Sequence, residues 1–217
     1  MTSKDITIYS PLEEKLNIIS HAIGILLSIA ATSLLVTFAS LEGDAWQVVS
    51  VSIFGASMIL LYTASTCYHS AKNLKTRKRL KVFDHAAIYA LIAGTYTPFT
   101  LVTLRGVTGW VLFGISWGLA LTGIILKLFF TGKYTILSTL MYVFMGWIII
   151  FALKPLLKNL PADGLRWLFI GGACYTIGAV LYSIKKIKFN HAIFHFFVLA
   201  GSFCHFMAVF FSVIKKV

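Results

Sequence analysis

Seven long stretches of this 217-residue chain carry no charged side chain. They run Ile18–Leu41, Ala45–Ala71, Ala86–Leu104, Gly106–Leu126, Tyr134–Leu153, Trp167–Ile184 and Ala192–Ile214. A helix needs about 20 apolar residues to cross a bilayer. Backbone polar groups cannot be left unpaired in hydrocarbon, so only helices and closed barrels span it. The alternating segments of about 10 residues that mark a barrel are absent. The pattern predicts an all-α, polytopic membrane protein, a bundle of seven transmembrane helices. No linker or internal repeat divides the chain, so residues 1–217 read as one membrane domain. The first apolar run is longer than a signal-peptide core and follows an acidic pair, Glu13 and Glu14, so it reads as a retained span.

Composition supports this reading. Hydrophobic residues make up 59% of the chain and charged residues 12%, where soluble domains have about 25% charged. An ordinary soluble enzyme, a disordered chain and a collagen-like fibre are excluded. The net charge is +12, which on so apolar a chain points to loops held against an anionic membrane face rather than to nucleic acid. Cys67, Cys174 and Cys204 are an odd number, each inside an apolar run, and read as free thiols. Gly114 and Gly118 in the fourth span have the spacing that lets membrane helices approach closely. Trp46, Trp110 and Trp167 fall at span ends and read as interfacial anchors.

Lys and Arg in the loops set the orientation. One side collects Lys4, Lys15, the basic loop Lys72–Lys81, Lys127, Lys133, Lys185, Lys186 and Lys188, which is 13 cations, against 6 on the other. The N-terminus is therefore expected in the cytoplasm and the C-terminus outside. Rhodopsin-like receptors run the other way, and a retinal protein needs a lysine midway along the seventh helix, where this chain has none.

Ionisable groups inside membrane helices are costly, so each is a candidate functional residue. Ser10, Pro11 and Glu13 form a helix-start signal. Glu14, Asn17 and His21 then follow at spacings that share one helical face. Ser65 and His69 lie one turn apart at the end of the second span, and Asp84-His85 opens the third. Asn190 reads as an N-cap ahead of His191 and His195, an i, i+4 pair able to offer two imidazoles to one ion. By the alternation of seven spans, His21, His69, Asp84, His85, His191 and His195 belong to one layer near the inner interface. His205 lies about 15 Å beyond His195. Two readings of this layer stand side by side. One is a catalytic zinc site of three imidazoles, with Asp84 as a proton acceptor and Ser65 as a hydrogen-bond donor. The other is a structural hydrogen-bond network. Cys67 points away from His69 on its helix.

The order Glu14-x-x-Asn17-x-x-Ser20-His21, Ser65-x-x-x-His69, Asp84, His191-x-x-x-His195 resembles the hemolysin III branch of the PAQR (progestin and adipoQ receptor) family, part of a broader superfamily with alkaline ceramidases. Residues 13–24 and 84–99 are close to bacterial members, and the similarity covers about residues 10–212. The resemblance implies a seven-helix bundle with a cytoplasmic N-terminus and a zinc ion held by His69, His191 and His195. It places Asp84 and Ser65 close to the water on that zinc. Glu14, Asn17 and His21 match a further motif of the family, and His21 and His85 stand outside the ligand set. No long N-terminal domain precedes the first span, so a receptor's signalling module is not expected.

The functional expectation is a zinc-dependent, ceramidase-like hydrolase acting on a membrane lipid amide or ester, linked to lipid homeostasis. The alternatives are a pore-forming cytolysin and a non-catalytic sensor of the membrane with structural zinc. The expected partner is a membrane lipid as substrate or ligand, not nucleic acid. The expected location is the cell membrane, as a multi-pass protein.

Overall fold

The computed structural model describes residues 9–131 and 134–214, apart from the side chain of Thr135. Lys4, Lys133, Lys215 and Lys216, all used in the charge count, lie outside the described residues. The elements in order are α1 (Pro11–Glu42), α2 (Ala45–Ser70), α3 (Leu74–Pro98), α4 (Val107–Phe130), α5 (Thr135–Trp147), α6 (Leu153–Asn159), α7 (Ala162–Ser183) and α8 (Asn190–Val209). A π turn, Phe99–Thr103, extends α3, a 3-10 turn, Ile148–Ala152, joins α5 to α6, and a π turn, Phe210–Ile214, extends α8. Among the described residues, seven segments are long and apolar enough to cross a membrane, with α5 and α6 forming one composite span. No strand occurs among the described residues.

The helix ends follow local chemistry. Ser10 caps α1, its hydroxyl accepting the Glu13 N–H at 3.3 Å, with Pro11 at the first helical position. Asp44 and Gln47 form a reciprocal capping box on α2, with bonds of 3.0 and 2.8 Å. Asn190 is not the N-cap expected of it. Phe189 holds that position with φ 57°, and the Asn190 amide donates instead to the Tyr182 and Ile184 carbonyls, tying the α7–α8 loop.

The third helix starts earlier than the charge pattern suggested. α3 begins at Leu74, so most of the basic segment is helix rather than loop. Asn73 caps it, accepting from Lys75 and Thr76 N–H. Asp84 therefore lies more than two turns inside α3, not at its start. Arg77, Lys81 and Asp84, at i, i+4 and i+7, form a buried polar stripe on one face.

Irregular backbone is satisfied internally, as hydrocarbon requires. Where α5 passes into the 3-10 turn, the Tyr96 hydroxyl donates to the Gly146 carbonyl at 2.9 Å and accepts the Ile149 N–H at 3.0 Å. The Gln47 amide caps the Val213 carbonyl in the final π turn. Phe54, Met58, Tyr62, Tyr89 and Phe99 form the middle of the core. Outward faces are apolar, with Leu26, Ile136 and Phe151 largely exposed, as suits contact with lipid tails.

The small-residue contacts differ from the expected pair. A side chain at Gly114 or Gly118 would meet nothing within 4 Å, so these glycines face outward. The close approaches are made at Gly55 against Thr32, Gly94 against Ser57 and Gly123 against the Tyr89 ring.

Candidate metal centre

The polar face of α1 is buried and its apolar face is exposed. Asn17, Ser20 and His21 are each at most 3% exposed, while Ile19 and Ile23 on the far side are about half exposed. This inside-out pattern lays α1 across the last turn of α2 and the first turns of α8. Those turns carry His69, His191 and His195.

The three imidazoles converge. His69 Nε2 and His191 Nε2 are 3.0 Å apart, and His195 Nε2 and His191 Nε2 are 3.1 Å apart. One ligand nitrogen from each ring lies within 4.8 Å of the others, and all three residues are buried. The outer nitrogens decide what the inner ones carry. His69 Nδ1 is 2.7 Å from Glu14 Oε2, and a carboxylate only accepts, so Nδ1 holds the proton and Nε2 presents a lone pair. His195 Nδ1 is 3.3 Å from the Asn17 carbonyl, so it too is the donor and its Nε2 is a lone pair. His191 Nε2 faces both, and one N–H can satisfy only one of them. A hydrogen-bond network thus leaves at least one pair of lone pairs in contact, whereas a cation at the centre satisfies all three. Tetrahedral zinc with bonds of about 2.0–2.1 Å separates its ligand nitrogens by about 3.3 Å, close to the observed spacing. The residues present fit a metal ion.

The surrounding side chains fix this arrangement. Glu14 bridges His69 and Arg77, whose guanidinium also donates to the His69 carbonyl at 3.4 Å and lies over the Tyr68 ring. The Asn17 side-chain amide is 3.5 Å from His69 Nδ1. Ser20 Oγ is 3.3 Å from His195 Nδ1 and donates to the Asn17 carbonyl. Glu13, expected only as a capping residue, accepts the His191 backbone N–H at 3.3 Å. His21 stacks on His195 with ring centroids 3.6 Å apart, so it supports the site without joining the ligand set. Tyr9 stacks on His191 at 4.6 Å, and burial drives its hydroxyl well above the ordinary tyrosine range, so it stays protonated. Cys67 is exposed, clear of the site.

A cavity of about 170 Å³ runs from His191 and His195 between α3, α5 and α7. Ser65, 1% exposed, and Asp84, 8% exposed, both line it. The Ser65 hydroxyl makes no hydrogen bond of ordinary geometry among the described residues, and the Asp84 carboxylate is its nearest acidic neighbour on this wall. Much of the remaining wall is apolar, with Leu61, Ile88, Leu91 and Val198. His85 also lines the cavity and is not one of the three converging histidines. His205 reaches its far part, with Nε2 donating to the Leu168 carbonyl at 3.3 Å.

Arg77, Tyr9 and Glu13 are contributors that the sequence reading did not assign to the site. Arg77 had a signal. It lies seven residues before Asp84, on the same face once α3 is allowed to start at Leu74. Tyr9 had none, since stacking on His191 comes from a chain segment outside any helix.

Comparison with known proteins gives the family. A family model described as Haemolysin-III related matches residues 9–206. The chain is 50% identical over 203 residues to the "Hemolysin-3 homolog" of Bacillus subtilis (strain 168), covering 94% of this chain and 95% of that one. It is 50% identical over 202 residues to "Hemolysin-3" of Bacillus cereus, covering 93% and 92%. The human "Monocyte to macrophage differentiation factor" is 28% identical over 203 residues, covering 91% and 83%.

Proposed function

The chain belongs to the Haemolysin-III related family of multi-pass membrane proteins, and from that premise and the converging histidines we propose that it is a zinc-dependent hydrolase of a membrane lipid amide or ester, serving lipid homeostasis in the cell membrane. The observation that carries the reading is the set of three Nε2 atoms facing one point at the end of a largely apolar cavity. A hydrolase needs both a charged centre and room for a lipid chain, and here they adjoin.

His69, His191 and His195 would hold the ion. Bound there, zinc supplies Lewis-acid activation of a carbonyl and of water. The chain's own groups do the rest. Glu14 and the Asn17 carbonyl hold the His69 and His195 rings in the tautomer that leaves Nε2 free. Asp84 Oδ accepts a proton as general base and later returns it to the leaving amine or alcohol. Ser65 Oγ, on the same wall as Asp84, donates a hydrogen bond to the oxyanion that develops on the scissile carbonyl. The apolar wall of Leu61, Ile88, Leu91 and Val198 excludes water and seats an acyl chain. The test is turnover of amide and ester lipids by detergent-purified protein with and without a chelator. Metal-dependent product supports the proposal, and its absence for every lipid refutes it.

Two other readings have support. The name of the Bacillus cereus relative, Hemolysin-3, suggests lysis. Leakage of liposomes that survives loss of all three histidines favours that reading. The trio also joins α2 to α8 beneath α1, as a structural ion would. If His191→Ala unfolds the protein rather than leaving a folded, inactive one, a sensor with structural zinc is favoured.

A further inference from the structure

The far end of the cavity carries an acceptor and a donor that the metal centre does not use. His205, 8% exposed, lines the cavity about 15 Å beyond His195 along α8. Its Nε2 donates to the Leu168 carbonyl at 3.3 Å, and a methyl at Gly171 would run into its Cδ2 and Nε2. That edge of the ring is therefore pressed against α7, and Nδ1 lies on the edge turned away from it. A neutral imidazole has one N–H, and Nε2 uses it, so Nδ1 presents a lone pair. Nδ1 is buried and has no hydrogen-bond partner among the described residues. A bare acceptor inside a membrane bundle is costly, which makes it a candidate for ligand contact.

Tyr175 supplies the donor. Its ring lines the same cavity with its centroid 5.3 Å from that of His205, and it is seated flat against Gly201. Its hydroxyl is 2.8 Å from Ser202 Oγ, which accepts from the Tyr62 hydroxyl at 2.7 Å. The Val198 carbonyl is 3.4 Å from the Tyr62 hydroxyl, outside the ordinary O–H···O range. Three hydroxyls thus have three protons and two short contacts, so one proton is left over. Tyr175 is the member of this chain that lines the cavity, and Ser202 donating to it leaves the spare proton there. An acceptor and a donor on neighbouring rings match a hydroxyl, which gives one hydrogen bond and receives another. A phosphate or carboxylate would face the Nδ1 lone pair, and an ammonium has nothing to accept from Tyr175.

We infer that His205 Nδ1 and the Tyr175 hydroxyl form a second polar seat in the cavity, and that the acyl chain it takes carries a hydroxyl near its twelfth carbon. The position follows from the spacing. An extended chain advances about 3.3–3.6 Å over three bonds, or about 1.2 Å per bond, so the 15 Å from His195 to His205 spans about twelve carbons. The wall between them is apolar, with Leu61, Leu91, Ile92 and Val198. His205 also lines an adjoining cavity of about 30 Å³ bounded by Phe99, Ile149 and Phe169, which suits the apolar end of the chain. The inference rests on the cavity proposed above as the substrate site. It is read by binding without turnover, and the turnover test does not need a hydroxylated lipid, so failure of either is seen separately.

Full-length protein in neutral detergent is equilibrated with tritiated 12-hydroxystearic acid. Unlabelled 12-hydroxystearic acid, stearic acid and 18-hydroxystearic acid are then compared as competitors, the last having its hydroxyl about 7 Å further along the same chain. The wild type is expected to bind the 12-hydroxy acid about tenfold or more tightly than the other two, since two hydrogen bonds go with a hydroxyl at that position. Tyr175→Phe, which lacks the donor, is expected to lose most of that preference. So is His205→Gln, whose amide nitrogen can take the place of Nε2 but leaves nothing at Nδ1. The ratio of affinities is the readout, so a loss common to all three acids cancels. Absence of saturable binding, or an undiminished preference in either variant, overturns the inference. Equal binding of the 12-hydroxy and unsubstituted acids leaves the seat to a water molecule and also overturns it. Equal binding of the 12- and 18-hydroxy acids overturns the position along the chain and with it the inference. If one variant does not fold, the other decides.

Discussion

His69 Nδ1 and Glu14 Oε2 are 2.7 Å apart, and the other oxygen of the same carboxylate holds the Arg77 guanidinium. One side chain from the first turn of α1 therefore sets the protonation of an imidazole on α2 and neutralises a buried cation on α3. Glu14 thus ties three helices together at one point.

Removing that carboxylate is predicted to have two effects. Glu14→Gln should weaken metal binding by about 10–100-fold, the usual loss when a ligand's hydrogen-bonded carboxylate is changed. It should also cost about 3–5 kcal/mol or somewhat less of stability, because Arg77 is left buried without its partner. Competition with a zinc chelator measures the first, and thermal unfolding in detergent measures the second. Wild-type affinity in Glu14→Gln would mean that Glu14 serves only Arg77.

The glycine contacts predict opposite outcomes on one helix. A methyl at Gly123 enters the Tyr89 ring, so Gly123→Ala should destabilise by about 1–3 kcal/mol. At Gly118 the methyl meets nothing, so Gly118→Ala should be neutral or stabilising by up to about 1 kcal/mol from helix propensity. Unfolding temperatures of the two variants decide the ranking.

Asp44 links stability to pH away from the site. The Gln47 backbone N–H, bonded to its carboxylate, holds the Asp44 pKa below the ordinary carboxylate value, with Arg105 adding to the effect. The folded state thus prefers the ionised form. Its contribution is full above the unfolded value of about 3.9 and is lost as pH falls through the lower folded value. Asp44→Ala should cost about 0.5–2 kcal/mol near neutrality and should flatten the loss of stability below about pH 4. An unchanged acid limb would show that the cap carries no such linkage.

If the chain turns lipids over, two variants should separate chemistry from metal binding. Asp84→Asn is predicted to lower kcat by about 10²–10⁴-fold, the usual worth of a general base. Ser65→Ala should cost about 10²–10³-fold, as loss of one oxyanion donor does. Both should keep the wild-type metal content, since neither residue belongs to the ligand trio. Loss of metal in Asp84→Asn would move that residue from chemistry to coordination.

Much of the fold is legible in the chain because hydrocarbon enforces it. Charge-free runs near span length had few alternatives, and the helices fall on them. Charge misled at α3. Arg77 and Lys81 read as part of a basic loop held against an anionic membrane face, yet they are buried on the helix, because Glu14 on α1 makes burial of Arg77 tolerable. The convergence of His69, His191 and His195 was recoverable, since i, i+4 spacing and helix alternation bring them to one depth. Their hydrogen-bond partners were only partly so. Glu14 and Asn17 shared a face with His21, but which nitrogen each holds depends on how α1 crosses α2 and α8. Gly114 and Gly118 show the converse error, because spacing alone does not say which face of a helix meets a neighbour.

The most direct test of the central claim is zinc-edge X-ray absorption with metal analysis on the purified protein and on the single variants His69→Ala, His191→Ala and His195→Ala. The account predicts one metal per wild-type chain with three imidazole nitrogens at about 2.0–2.1 Å, and loss of that signal in each variant. Wild-type protein purified without metal after growth with zinc, or bound metal whose content all three variants retain, would contradict it.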